Sequence, residues 1–301
     1  MPDTIFTLGG DLPLGRLGLG TGGLVGPGYW GPRGGRAEAV ALLRAAVEQG
    51  VTLIDTADNY GPDLAEELIA EALHPYGERL VVATKGGVVR TGPDQWHVAG
   101  RPEELRRMCE ASLRRLRVER IGLYQLHRFD PAVPAAEQLG ALAELREEGK
   151  IRHIGLDTVG AEQLRAALES VPVAAVQNPY NLLDRSSAEV LALCEARGIA
   201  FLPYYPLGSG ALARECAAAV AAVAAAHGAS PGQIALAWLL HHSPVLCPTP
   251  GTGSPAHLAQ NLAAASLSLS ARELAVLDAL TPPGAHGPRT GTTPDGAAET
   301  T

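Results

Sequence analysis

The chain has 301 residues, of which 46% are apolar, and it carries a formal net charge of −8. This length allows one large domain or two smaller ones, and the apolar fraction is enough for a sizeable core. The acidic balance and the lack of Lys or Arg runs argue against a nucleic acid or an anionic membrane as a partner. No apolar stretch approaches the roughly 18 residues of a membrane-spanning helix, so none is expected.

The cysteines indicate a reducing compartment. Cys109, Cys194, Cys216 and Cys247 are scattered without the CxxC spacing of zinc or redox sites, so we expect reduced thiols and no metal site. The first residues show no basic segment followed by an apolar one, which is the pattern of a secretory signal. A cytoplasmic location is therefore expected.

Short apolar runs alternate with stretches of helical length through most of the chain. The predicted strands are 16–20, 51–55, 80–84, 121–127, 151–156, 173–177, 199–204 and 244–248. The predicted helices are 36–49, 63–73, 102–117, 134–148, 160–169, 186–197, 211–242, 255–264 and 270–280. Apolar strands between helices indicate a parallel sheet covered by helices. Eight such units in about 250 residues are typical of a closed (β/α)8 TIM barrel.

Gly, Pro and Ser residues mark several boundaries. A hairpin is expected before the first barrel strand, turning at 9–11. Ser230-Pro231 has the pattern of a helix start, so 211–242 is predicted to be two helices. Residues 1–281 are predicted to form a single barrel domain. The Pro-, Gly- and Thr-rich stretch 282–301 lacks an apolar period and is predicted to be a disordered tail.

One glycine motif is misleading. Gly18, Gly20 and Gly23 form GLGTGG, which matches the GxGxxG fingerprint of dinucleotide-binding Rossmann folds. That fingerprint requires a helix to begin there, whereas 25–35 is a Gly/Pro-rich loop. We therefore interpret the segment as a loop at the carboxyl end of the first strand, in which Trp30 either lines a substrate pocket or packs on the barrel.

Four polar residues follow three consecutive predicted strands. Asp55 ends the second strand, Tyr60 lies in the loop after it, Lys85 ends the third strand and His127 ends the fourth. The carboxyl ends of parallel barrel strands converge on one face, where the reaction centre lies. Each residue alone is compatible with a structural role, but their joint occurrence predicts a catalytic site.

These side chains suit the protonation of a carbonyl oxygen while hydride reaches its carbon. Tyr60 is the expected general acid, and the ammonium of Lys85 is expected to lower its pKa. Asp55 would keep Lys85 charged and oriented. His127 would orient the carbonyl oxygen or share the proton.

The motifs around these residues resemble the aldo-keto reductases, in particular the short-looped bacterial and pyridoxal-reductase-like members. The resemblance covers residue 5 to about 280 and rests on IDTADNYG (54–61), ATKGG (83–87), LHRFD (126–130), KIRHIGLD (150–157), VQNPYN (176–181), PYYPLGSG (203–210) and PGTGSPAHLAQN (250–261). It implies the eight-fold barrel, NAD(P)H-dependent carbonyl reduction and a catalytic tetrad of Asp55, Tyr60, Lys85 and His127.

The resemblance also implies a nicotinamide dinucleotide site. The carboxamide would be held by Gln177 and the pair Asp157-Thr158, and Tyr204 would stack on the nicotinamide ring. The pyrophosphate would meet the backbone of Leu207, Gly208, Ser209 and Gly210. The adenosine end would be surrounded by Gly251, Thr252, Gly253, Ser254, His257, Gln260 and Asn261.

Two positions depart from the family pattern. Asp157-Thr158 stands where the family usually has Ser-Asn, which places an added carboxylate near the nicotinamide. The segment 251–261 has no Lys or Arg to clamp a 2′-phosphate. NADPH is the expected cofactor, with NADH as the alternative.

The substrate is left open as a small carbonyl compound, as is the oligomeric state. Loops 22–35 and 86–100 would line its pocket. Their aromatic residues and Phe129 favour an apolar or aromatic carbonyl, whereas nearby cations favour an anionic one; the residues in question are Trp30, Trp96, Phe129, Arg33, Arg90 and Arg128. Two alternative functions are a redox-neutral dehydration or cyclisation, suggested by Asp157, and a non-catalytic nucleotide-sensing subunit.

Overall fold

The structure is a computed structural model that describes residues 4–208 and 217–280. The strands are β1 (Ile5–Leu8), β2 (Leu12–Gly15), β3 (Leu19–Gly20), β4 (Leu53–Asp55), β5 (Val81–Gly86), β6 (Val88–Gly92), β7 (Gln95–Val98), β8 (Ile121–Leu126), β9 (Ile151–Asp157), β10 (Val173–Pro179) and β11 (Ala200–Tyr204). The α-helices are α1 (Arg36–Glu48), α2 (Leu64–Leu73), α3 (Pro102–Leu116), α4 (Ala135–Glu147), α5 (Ala161–Leu168), α6 (Ala188–Arg197), α7 (Ala217–His227), α8 (Pro231–His242), α9 (Pro255–Ala263) and α10 (Ala271–Asp278).

Seven strands form one parallel sheet in the order β11-β10-β9-β8-β5-β4-β3. The sheet is closed by an irregular segment, 245–251, which pairs with both edge strands. Phe201 and Leu246 form a parallel bridge on one side, and Gly20 and Gly251 form one on the other. This confirms the (β/α)8 barrel, in which all strand carboxyl ends meet at one face.

The predicted eighth strand, 244–248, is wrong as a regular strand. Its backbone does bond to both neighbours: Phe201 N–H donates to Val245 O at 2.8 Å, and Gly18 N–H donates to Pro248 O at 3.0 Å. Pro248 and Pro250 have no N–H to donate, so a continuous ladder cannot form. The segment therefore closes the barrel through separate bonds.

The hydrophobic core has two parts. A large cluster lies between the sheet and the helices, and a smaller one fills the barrel interior. The interior cluster includes Leu8 and Leu14 of the β1–β2 hairpin together with Leu53 at the start of β4. The hairpin thus covers the amino-terminal end of the barrel and leaves the carboxyl end for the site. Its predicted turn is confirmed, with Gly9 and Gly10 at positive φ.

The GLGTGG glycines serve close packing. A Cβ on Gly20 would lie 2.6 Å from Thr249 O, and one on Gly23 would lie 2.9 Å from the Thr252 backbone. The segment continues into a short 3₁₀ helix, Thr21–Leu24, and α1 begins only at Arg36. These glycines allow β3 to approach the closing segment, and a Rossmann fold is excluded.

Other predicted helix and strand boundaries agree with the structure, but the β6–β7 hairpin was not predicted. Ser230 caps α8 ahead of Pro231, so 211–242 does contain two helices, although 211–216 lies outside the described residues. The predicted loop 86–100 instead contains the β6–β7 hairpin. The predicted tail, 282–301, also lies outside the described residues. Across 4–208 and 217–280, no helix has the length and apolar character to cross a bilayer.

Candidate active site

Lys85 and Asp55 form a buried ion pair at the carboxyl ends of β5 and β4. Lys85 Nζ lies 2.9 Å from both carboxylate oxygens of Asp55 and also donates to Thr56 O at 2.9 Å. Gln125 Nε2, on β8, donates to Asp55 Oδ1 at 3.2 Å. The Lys85 side chain is fully buried. Its ammonium is therefore held in one position by three acceptors.

His127, just after β8, is a neutral imidazole in a defined tautomer. Asn59 Nδ2 donates to Val88 O at 3.0 Å and lies 3.1 Å from His127 Nδ1. Because Val88 O only accepts, the Asn59 atom beside it is the nitrogen, and His127 Nδ1 must accept from it. The proton of the ring is then on Nε2. Burial, reinforced by Lys85, Arg128 and Arg90, holds the pKa of His127 well below its ordinary value.

Tyr60 lies close to both groups. Lys85 Nζ is 5.5 Å from the centre of its ring, and the rings of Tyr60 and His127 are 6.4 Å apart in an edge-to-face arrangement. The expected lowering of its pKa is wrong. Burial, followed by the charges of Asp55 and Asp157, raises the pKa of Tyr60 well above 10. The phenol is consequently protonated at neutral pH.

Aromatic rings form a wall beside Tyr60 and His127. Tyr29 contacts Tyr60 with ring centres 5.0 Å apart, and Trp96 contacts Tyr29 at 5.5 Å and His127 at 6.1 Å. Trp96 comes from the β6–β7 hairpin, in the segment where the sequence predicted a pocket-lining loop. Trp30, for which a place in the pocket wall and packing on the barrel were both left open, is 37% exposed, and its neighbour Tyr29 is the residue that contacts Tyr60.

The cationic candidates differ in accessibility. Arg90 is buried, donates to the backbone carbonyls of Gln95, Gly92 and Gly28, and stacks 3.7 Å from the Trp96 ring centre. Arg33 is exposed, and Phe129 packs against the large core. Arg128 is the candidate at the site, where it meets Asp157.

Asp157 ends β9 and is buried against Arg128. Arg128 Nη1 lies 2.5 Å from Asp157 Oδ1, and Thr158 Oγ1 donates to the same oxygen at 2.7 Å. Asp157 Oδ2 lies 3.9 Å from His127 Nε2. Burial raises the pKa of Asp157, an effect opposed by Arg128 and Lys85. The added carboxylate is therefore charge-paired beside His127.

The predicted nicotinamide residues lie on adjacent strands. Thr158 N–H donates to Gln177 O at 2.7 Å, and Thr158 Oγ1 lies 3.3 Å from the Tyr204 hydroxyl, within hydrogen-bond distance. Tyr204 ends β11 and is partly exposed. Asp157, Thr158, Gln177 and Tyr204 thus form one polar edge with an aromatic face next to His127.

The remaining predicted cofactor residues fall in two segments. Leu207 and Gly208 follow β11, and Gly208 N–H donates to Tyr205 O at 2.8 Å. The predicted contacts of Ser209 and Gly210 lie outside the described residues.

The second segment begins α9. Ser254 caps this helix and accepts from His257 N–H, and Thr252 Oγ1 accepts from Ser254 N–H at 3.0 Å. His257 and Gln260 are exposed, whereas Asn261 is buried with Thr252. Gly251 and Gly253 are exposed at the turn. A helix start with exposed polar side chains suits an anionic group.

Sequence reasoning missed three residues of the site, Gln125, Asn59 and Tyr29, and one contact, the pairing of Arg128 with Asp157. Gln125 could have been found, because it is a polar residue two positions before His127 and so shares its face of β8. Asn59 belongs to the same DTADNY segment as Asp55 and Tyr60. The placement of Tyr29, and the pairing of Arg128 with Asp157, depend on loop conformations that have no sequence signal.

Known proteins are similar to this chain over most of its length. The model of the aldo/keto reductase family matches residues 16–282. An uncharacterized oxidoreductase of Schizosaccharomyces pombe is 45% identical over 89% of this chain and 87% of its own. Pyridoxine 4-dehydrogenase of Escherichia coli is 38% identical over 93% of this chain and 99% of its own.

Solved structures of aldo-keto reductases superpose on this fold. An aldo-keto reductase from Klebsiella pneumoniae in complex with NADPH superposes with a TM-score of 0.80 at 30% identity, covering 99% of this chain and 100% of its own. A thermostable aldo-keto reductase in complex with the inhibitor epalrestat gives a TM-score of 0.82 at 34% identity, covering 92% of this chain and 99% of its own. The fold, the site and these relatives together show that the chain is an oxidoreductase of the aldo/keto reductase family.

Proposed function

We propose that this protein reduces an aldehyde or ketone to an alcohol with NADPH as hydride donor and Tyr60 as general acid. The observation that carries the proposal is the arrangement of a protonated phenol, a neutral imidazole and a buried ion pair around one point. The ring centre of Tyr60 is 5.5 Å from Lys85 Nζ and 6.4 Å from the ring centre of His127. A carbonyl oxygen placed there meets two hydrogen-bond donors.

Each of the four residues has a distinct role in the proposed reaction. His127 Nε2–H holds the carbonyl oxygen, since Asn59 occupies its Nδ1. When bound, NADPH supplies hydride to the carbonyl carbon. Tyr60 gives its proton to the oxygen as negative charge develops there. Asp55 keeps Lys85 in place, and the ammonium stabilises the phenolate that remains.

The donor set fits the dinucleotide. Gln177, Asp157 and Thr158 offer an amide, a carboxylate and a hydroxyl to a carboxamide, and Tyr204 offers a ring face beside them. The exposed start of α9, with Ser254 and His257, suits the phosphate-bearing adenosine end. Relatives bound to NADP or NADPH support the phosphorylated cofactor.

The test is NADPH oxidation with a panel of aldehydes and ketones. We expect Tyr60→Phe to lower kcat by about 10²–10⁴-fold, because the variant keeps the ring but loses the proton. KM for NADPH should change little. A wild type that reduces no carbonyl compound, or an undiminished Tyr60→Phe variant, would refute the proposal.

The same assay addresses the alternatives. A redox-neutral dehydratase or cyclase would turn over substrate without consuming cofactor, and a sensing subunit would bind cofactor without turnover. The relatives named above are oxidoreductases, and they do not favour either alternative. We also propose a cytoplasmic location, which is supported by the free, buried thiols of Cys109, Cys194 and Cys247.

A further inference from the structure

Arg128 presents an unused hydrogen-bonding edge at the site. The Arg128 side chain makes two hydrogen bonds, and Nη1 donates in both. One goes to His127 O at 2.7 Å and the other to Asp157 Oδ1. Within 4–208 and 217–280, its Nε and Nη2 make none, and the side chain is 39% exposed. The Nε and Nη2 protons form the side-on fork of a guanidinium, which matches the two oxygens of a carboxylate.

The charged groups beside this edge are largely paired. Asp157 offsets one positive charge and Asp55 offsets that of Lys85. Arg90 donates to backbone carbonyl oxygens, is influenced by the charge of Asp94, and lies 3.7 Å from the Trp96 ring centre. The pocket wall is therefore aromatic, and the Nε–Nη2 edge of Arg128 is what offers hydrogen-bond donors to an anion there.

The aromatic wall selects a flat group next to the reacting carbonyl. Trp96 stands 6.1 Å from the His127 ring and Tyr29 stands 5.0 Å from the Tyr60 ring, so both flank the catalytic pair. Rings pack against such walls in offset or edge-to-face arrangements. Arg128 follows His127 in the chain and reaches the opposite, β9 side of the site.

We propose that Arg128 is a substrate-specificity residue and that the preferred substrate is an aromatic aldehyde or ketone with a carboxylate on its ring. The ring packs on Trp96 and Tyr29, the carbonyl meets Tyr60 and His127, and the carboxylate binds the Nε–Nη2 edge of Arg128. This inference rests on the proposed carbonyl reduction and narrows its substrate class.

The experiment compares the ring isomers of carboxybenzaldehyde with the matching nitrobenzaldehydes, whose nitro group is planar and of similar size but uncharged. We expect at least one carboxy isomer to have a KM on the order of 10- to 100-fold below that of its nitro counterpart, as for a charged hydrogen bond. The decisive comparison is between Asp157→Asn and Asp157→Asn/Arg128→Gln. Asp157 is replaced in both variants because the loss of Arg128 alone would leave the Asp157 carboxylate without its charge partner. The preference should persist in the first variant and vanish in the second.

Arg33→Gln is the matched control, because Arg33 is an exposed arginine of the 22–35 loop and its loss should keep the preference. A wild type without any carboxylate preference overturns the inference, as does a preference that survives in the double variant. Either result leaves the proposed function standing if the nitrobenzaldehydes are reduced. Failure to reduce any aldehyde with NADPH instead removes the proposed function and the inference with it.

Discussion

At the scale of single residues, Asp58 is a buried carboxyl group that the proposed chemistry does not use. It is 8% exposed, and its Oδ1 has no hydrogen-bond partner within the described parts of the chain. Burial, followed by repulsion from Glu66, raises the pKa of Asp58 well above its ordinary value. When folding raises the pKa of a carboxyl group, the folded state favours the protonated form. Ionisation of that group therefore lowers the free energy of unfolding.

We predict that Asp58→Asn stabilises the protein at neutral and alkaline pH. The contribution of Asp58 is complete below its unfolded pKa of about 4 and is lost as pH rises through its raised folded pKa. The uncharged amide has no such loss, so the gain should grow with pH, reaching about 1–3 kcal/mol. Thermal unfolding at several pH values measures it.

Glu66→Gln is the contrasting variant. Glu66 accepts from Thr84 Oγ1 and from Arg115 Nε, both at 2.6 Å, so neutralising it removes the buried one of the two carboxylates that pair with Arg115, the other being Asp63. It should lower the melting temperature where Asp58→Asn raises it. A lower melting temperature for Asp58→Asn at pH 8 would show that its carboxylate is stabilising instead.

The strand-end positions of the proposed catalytic residues were predictable from the sequence. Asp55, Lys85 and His127 follow apolar strands, where polar residues stand out against the hydrophobic pattern. The direction of the Tyr60 pKa shift was not predictable, because it depends on how deeply the phenol is buried and on the nearby charge of Asp157. Burial and through-space charge do not follow from sequence spacing.

At the scale of elements, barrel closure depends on close backbone contact between β3 and the segment 245–251. Gly20 has φ −86° and ψ 136°, an extended conformation that any residue adopts. Its constraint is therefore steric, since an added Cβ would lie 2.6 Å from Thr249 O.

Gly20→Ala is expected to destabilise the protein by about 1–3 kcal/mol through this overlap. Gly140→Ala is the matched control, because an added Cβ there meets no atom within 4 Å and Gly140 lies inside α4. That change should stabilise the protein by about 0.5–1 kcal/mol. Denaturant unfolding of both variants checks the pair, and equal effects would argue against a steric role for Gly20.

The β6–β7 hairpin was not predicted from local sequence patterns. Its strands, VVRTG and QWHV, are short, and only part of β6 is buried. Its apolar pattern is therefore too brief to distinguish it from a loop. This hairpin nevertheless places Trp96 beside His127, a proposed catalytic residue.

At the scale of the whole molecule, the proposed dinucleotide site gathers residues from Asp157 to Asn261 and adjoins catalytic groups from Asp55 onward. Such a surface exists only in the folded barrel, so a ligand that binds it must stabilise the fold.

We predict that NADPH raises the melting temperature, with a stabilisation of about 2.7 kcal/mol at a hundred times its Kd. NADH at the same concentration should give a smaller shift, because it lacks the 2′-phosphate that would meet Ser254 and His257. Tyr60→Phe should retain the NADPH shift, since the phenol proton acts on the carbonyl. An identical shift with both cofactors would remove the case for NADPH preference.

The sequence by itself determined the alternation of strands and helices, the hairpin at 9–11 and the strand-end positions of Asp55, Lys85 and His127. These features follow from local periodicity, turn residues and the chemistry of single side chains. Only the tertiary structure decided how the barrel closes through 245–251, which tautomer His127 adopts and that Arg128 neutralises Asp157. Those features depend on atoms far apart in the chain, and their distances are set by packing.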